Sequence, residues 1–175
     1  MTPTRRQILA AAGAAAGFAP FAAASKSARI DAIGFDAFTI FDPRSLDAAI
    51  ETHLPGRGRG FGVAWRARIF DYCWLRTLTG AYADFERIAD DALTVTAGGG
   101  KIDLSPKART EILAGLKTLA PWPDSAAALK TMRDAGLRLA CVSNFTQAML
   151  RENVAGAGLE ALFEHLVSTD DTKGY

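Results

Sequence analysis

Ile33-Gly34-Phe35-Asp36-Ala37-Phe38-Thr39-Ile40-Phe41-Asp42 is the stretch that decides the fold class. A short apolar run ends in an aspartate, and a turn follows at once. Buried parallel strands read as such near-continuous apolar runs. Open α/β sheets place their ligands at the carboxyl ends of those strands. Asp36 is therefore a candidate carboxylate nucleophile, although an aspartate there also serves as an Asx-turn or helix-cap residue. Two residues on stands Phe38, not an acid. No neighbouring carboxylic acid is ready to protonate a leaving group, which points to one that needs no proton.

Working outward, the first strand is expected over Arg29–Asp36, and Pro43 breaks the pattern. A mostly helical region follows. Leu54 to Gly62 reads as a Gly/Arg loop without the spacing of a phosphate loop. Trp65, Ile69, Tyr72, Leu75 and Leu78 recur at helical spacing, as do Phe85, Ile88, Ala92 and Leu93. Gly98-Gly99-Gly100 reads as a hinge-like loop. Ser105-Pro106 is an N-cap followed by proline, and Ile112, Leu116 and Leu119 form the next stripe. Pro121-Trp122-Pro123 marks a second boundary, with a helix from Asp124 to a Gly136 C-cap. Leu137–Val142 is the second strand, Thr146 caps a further helix, and His165–Ser168 is a short third strand. The order predicts a doubly wound α/β core with an all-helical insertion after the first strand. The expected division is 28–43 and 121–175 for the core and 44–120 for the insertion.

The chain has 175 residues, 49% of them apolar, and a formal net charge of +1. That allows one ordinary domain with an insertion and argues against nucleic acid as a partner. Residues 1–24 read separately. Arg5-Arg6 opens a twin-arginine pattern, and an Ala/Gly/Phe-rich stretch closes on Ala22-Ala23-Ala24, an export-type cleavage site. This predicts a bacterial signal peptide and a periplasmic product. The stretch is too weakly apolar for a lasting membrane anchor. Cys73 and Cys141 fall in a helical and a strand pattern far apart, and read as two buried free thiols. No cysteine or histidine cluster suggests a metal.

Several further residues are candidates. Ser143-Asn144 ends the second strand, beside Asp36 if the strands pair. A hydroxyl and an amide there can hold a substrate oxygen, or cap the following helix. Arg66, beside Trp65, could reach across a cleft to an anion, although an arginine on an amphipathic helix is usually solvated. The Thr39 hydroxyl could orient Asp36. His53 and His165 read as structural, and Asp42, Asp170 and Asp171 as turn residues.

Together these residues resemble the haloacid dehalogenase superfamily, and within it the type II (S)-2-haloacid dehalogenases. The first run is similar to F-D-x-Y-G-T-L-F-D. Val142-Ser143-Asn144-Phe145-Thr146 looks like L-S-N-G-[ST]. Ala64-Trp65-Arg66, Tyr72–Arg76, Tyr82–Phe85 and Phe163–Ser168 also match. The resemblance implies that Asp36 attacks C2 of a small 2-haloalkanoate, expels halide and forms an aspartyl ester that water then cleaves. By the same resemblance Thr39 positions Asp36, Arg66 and Asn144 receive the halide, and Ser143 binds the substrate carboxylate. Phe38, Phe70 and Phe85 wall the apolar pocket. No cofactor is implied, and a homodimer through the helical insertion is allowed.

Two departures stand out. No glycine separates Phe38 from Thr39, and Phe145 replaces a family glycine, so a narrowed pocket with altered substrate preference is expected. In the family a lysine followed by proline, then the ester-hydrolysing residues, come after the position of Tyr175, and Lys173 stands too early to be that lysine. On this reading the 175 residues are C-terminally truncated and turn over little. The rivals are a magnesium-dependent phosphatase of the same superfamily, against which Phe38 argues, and a catalytically inactive fragment.

Overall fold

The computed structural model describes residues 30–175, and the twin-arginine segment lies outside the described residues. Asp31–Tyr175 forms one compact unit. Strand β1 (Ala32–Asp36) runs into a one-turn helix α1 (Ala37–Ile40). Helices α2 (Ser45–His53), α3 (Gly58–Thr79), α4 (Phe85–Gly99) and α5 (Pro106–Ala114) follow. After a 3-10 turn at Gly115–Lys117 come α6 (Ser125–Asp134), β2 (Arg138–Ser143), α7 (Gln147–Gly156) and β3 (His165–Ser168). A final 3-10 turn spans Thr169–Thr172. The expected α/β class is correct.

The three strands form a parallel sheet in the order β1-β2-β3. Asp36 pairs with Val142, and Val142 with Val167, so the three share one row. Val142 and Val167 are exposed, and Ala32, Gly34 and Asp36 on β1 are exposed as well. Leu139 and Cys141 point to the other face and are buried. Among the described residues β1 pairs only with β2.

The chain leaves β1 for the helices and returns to the sheet at one joint. Phe41 bridges Pro121 in antiparallel fashion, and Asp42 N–H donates to the Ala120 carbonyl at 2.8 Å. The carbonyls at the end of a helix lack intrahelical donors. Here Trp122 N–H and the Ser125 hydroxyl both donate to the Ile40 carbonyl, at 2.9 and 2.8 Å. The Trp122 indole N–H donates to the Phe38 carbonyl at 3.0 Å. The Pro121-Trp122-Pro123 boundary thus fixes the turn that follows Asp36. A second rivet lies deeper. Buried Asn153 on α7 accepts from Leu119 N–H and donates to the Leu116 and Met149 carbonyls, all within 3.0 Å.

Two expected loops prove partly helical. Helix α3 begins at Gly58, not after Gly62, because the glycines let α2 approach closely. A Cβ at Gly58 would stand 2.6 Å from the Asp47 carbonyl, and one at Gly62 would overlap the Asp47 carboxylate. Glu51 of α2 completes the start of α3, its carboxylate accepting from Gly56 and Gly58 N–H. Those backbone donors hold the Glu51 carboxyl below the usual range. Gly98 and Gly99 close the last turn of α4, just past its last buried residue, Ala97. Helix α5 stops at Ala114; Leu116 and Leu119 are buried as expected, but from the 3-10 turn and the segment after it. Strand β1 starts at Ala32 and β2 at Arg138.

Candidate active site

Asp36 ends β1 and is at the same time the N-cap of α1. Its Oδ1 accepts the Phe38 backbone N–H at 2.8 Å. With no glycine after Phe38, the helix starts directly behind the carboxylate, and its second N–H points back at it. An exposed N-terminal amide is a natural partner for a negative oxygen. The positioning bond that the sequence reading gave to Thr39 is therefore made by main chain. The Thr39 hydroxyl joins no hydrogen bond among the described residues. It lines a shallow cleft with Phe35, Asp124 and Ser125.

The parallel register brings Ser143 and Asn144 to the same sheet end, one and two residues beyond Val142, the partner of Asp36. Ser143 is buried, and its oxygen accepts Phe145 N–H at 3.1 Å. Asn144 is half-buried; its Oδ1 accepts from the Thr169 hydroxyl at 3.4 Å. Below them lies Cys141, a free thiol pushed up to about 12 by burial and, secondarily, by the nearby charge of Asp36. Cys73 is likewise free, buried and pushed up to about 12 by burial.

Arg66 is not a solvated surface arginine. Its Nη1 lies 2.6 Å from Asp47 and donates to the Pro43 carbonyl at 3.1 Å, with 14% of the side chain exposed. No hydrogen bond or ion pair joins it to Asp36, Ser143 or Asn144 among the described residues. Lys173 pairs with Asp170 at 3.0 Å and sits over the Tyr82 ring, and Tyr82 itself bonds to Asp170. His53 meets Glu111 at 2.9 Å, consistent with a structural role.

The three phenylalanines named from sequence do come together, through a fourth that was not counted with them. Phe38 contacts Phe70 edge-on, with centroids 6.1 Å apart, and Phe145 at 5.4 Å; Phe145 in turn contacts Phe85 at 4.9 Å. Phe70 is the exposed end of this row, and Phe85 and Phe145 are buried. A separate cleft of about 550 Å3, lined by Phe61, Arg68 and Val95 among others, opens between α3 and α4 and includes none of the residues around Asp36. The convergence of a carboxylate, a hydroxyl, an amide and an aromatic wall at one sheet end is the stronger indicator. Such a group can carry out nucleophilic substitution by carboxylate without proton delivery to the leaving group.

The model of the haloacid dehalogenase-like hydrolase family matches residues 5–175. The chain belongs to this family. Haloacetate dehalogenase H-2 of Moraxella sp. (strain B) is 36% identical over 148 residues, covering 84% of this chain and 66% of its own. An (S)-2-haloacid dehalogenase of Xanthobacter autotrophicus is 37% identical, covering 81% of this chain and 55% of its own. The structure of the L-2-haloacid dehalogenase from Xanthobacter autotrophicus with chloropropionic acid covalently bound superimposes with a TM-score of 0.78 at 34% identity, over 84% of this chain and 60% of that one. The chain thus spans about two thirds or less of the length of these haloacid dehalogenase-like relatives.

Proposed function

We propose that this chain acts as an (S)-2-haloacid dehalogenase on small 2-haloalkanoates. The observation that carries the reading is Asp36 at the end of β1, its Oδ1 held by Phe38 N–H, with a phenyl ring at position 38 where a proton donor would otherwise stand. Oδ1 is fixed and Oδ2 is left to attack. Asp36 displaces halide from C2 in line, forming a C–O bond as the C–X bond breaks with its electron pair. Water then cleaves the ester at the aspartyl carbonyl, releasing the (R)-2-hydroxyacid and a proton and restoring the carboxylate. Halide leaves without protonation, which suits Phe38, and attack on carbon calls for no metal. Several curated relatives carry the name (S)-2-haloacid dehalogenase, and one the name haloacetate dehalogenase, which supports the substrate class.

In this reading Ser143 binds the substrate carboxylate through its hydroxyl proton. Asn144 and the free Nη2 of Arg66, oriented by Asp47, receive the halide, while Phe38, Phe70 and Phe85 form the apolar wall. The helices from residue 44 to 120 act as a cap over the core. The exposed face of α3 that carries Val63, Phe70, Trp74 and Leu78 suits a homodimer through that cap. The Arg5-Arg6 segment directs the product to the periplasm through the twin-arginine route, which R5K/R6K should block.

The test incubates the protein with chloroacetate and L-2-chloropropionate in 18O-labelled water. The expected result is chloride release with label entering Asp36, and none from Asp36→Asn. Magnesium-dependent hydrolysis of p-nitrophenyl phosphate without chloride release would overturn the reading.

A further inference from the structure

We propose that Phe145 sets the chain length accepted at the Asp36 site, selecting acetate-sized 2-haloacids over longer ones. This rests on the dehalogenase reading and deepens it. Phe145 directly follows Ser143 and Asn144 and is 1% exposed. Its ring meets Phe38 at 5.4 Å and 89°, and Phe85 at 4.9 Å and 62°. Such edge-to-face pairs are favourable beyond the area they bury.

The backbone is held at both Phe145 and Phe38. Phe145 N–H donates to the Ser143 oxygen at 3.1 Å, and its carbonyl accepts from the buried Ser168 hydroxyl at 2.6 Å. Phe38 is pinned in the same manner, its N–H to Asp36 at 2.8 Å and its carbonyl from Trp122 at 3.0 Å. The Phe38 ring is therefore wedged between Phe70 and Phe145, two residues from the attacking carboxylate. With the substrate carboxylate on Ser143 and C2 at Asp36, the substituent on C2 meets this wall. A hydrogen fits; an alkyl group must displace a ring whose retreat Phe145 blocks. Phe145 is thus a positioning residue acting through Phe38.

The test has two readouts. NMR titration of the Phe38 amide with acetate, propionate and butanoate should show affinity falling about tenfold with each added carbon, the usual worth of a methylene in a tight pocket. Phe145→Ala should flatten that series to within about threefold, and Phe145→Leu, which keeps the site apolar and filled should the alanine variant fail to fold, should fall between. Chloride release from chloroacetate, 2-chloropropionate and 2-chlorobutanoate should follow the same ranking. A merely structural role would lower all three together. Equal binding of acetate and butanoate by the wild type, or an unchanged ranking in both variants, would overturn this inference and leave the dehalogenase reading intact. Failure of every carboxylate to bind would remove the substrate site and this inference with it.

Discussion

The Trp122 indole N–H donates to the Phe38 carbonyl at 3.0 Å across 84 residues of sequence, while Phe38 N–H holds Asp36. The segment that returns from the helices to the sheet thus grips the turn behind Asp36. Trp122→Phe should keep the stacking with Arg44, whose guanidinium lies 4.7 Å from the ring, but lose this bond. The expected result is a fall in kcat of about tenfold with KM changed little, since misplacement of a reacting group by a fraction of an ångström costs rate rather than binding. Steady-state chloride release checks it.

Asn153 satisfies one buried donor and two buried carbonyls at the junction of α7 with the segment after α5. Asn153→Ala should destabilise by about 2–4 kcal/mol, because Leu119 N–H and the Leu116 carbonyl are left without partners. Asn153→Asp should be no better, since a carboxylate cannot donate to Leu116 or Met149. Urea unfolding should show the midpoint shift at an unchanged slope.

Gly62→Ala places a methyl against the Asp47 carboxylate and 3.0 Å from Arg66 Nη1. It should cost about 1–3 kcal/mol by overpacking and push Arg66 off Asp47. Gly60→Ala, where a Cβ meets nothing within 4 Å, is the control and should be neutral or slightly stabilising. An equal effect of the two substitutions in thermal unfolding would contradict the close approach of α2 and α3.

Burial raises both thiols from 9.0 to about 12. A group whose folded pKa lies above its unfolded value favours the folded state below the unfolded pKa and loses that contribution as pH rises. Stability should therefore decline from about pH 9 toward 12, and Tyr82 and Tyr175, also raised chiefly by burial, add the same sign from about pH 10. At pH 8 neither cysteine should react with a thiol reagent in the native protein, and both should react in urea. Fast labelling of the native protein would contradict the burial.

The parts legible in sequence were those with local rules. Ser105 and Thr146 act as N-caps as their position before apolar stripes foretold, accepting from Ala108 and Met149 N–H. The carboxyl-end placement of Asp36, Ser143 and Asn144 followed from two apolar runs and the parallel pairing they demand. What escaped were partners distant in sequence. Nothing local links Arg66 to Asp47, or Trp122 to Phe38. The glycines at 58 and 62 looked like a loop because their role is contact with another helix. The positioning of Asp36 fell to a backbone amide, which no residue type announces. Only the unusual start of a helix straight after Asp36 could have signalled it.

Among the described residues β1 is hydrogen-bonded along one flank alone, and Asp36 stands at its tip. Displacement at carbon demands collinearity held to about 0.5 Å. If Asp36 attacks as proposed, its aim depends on how firmly β2 on that flank, and the Phe38 and Trp122 bonds behind the carboxylate, hold the tip.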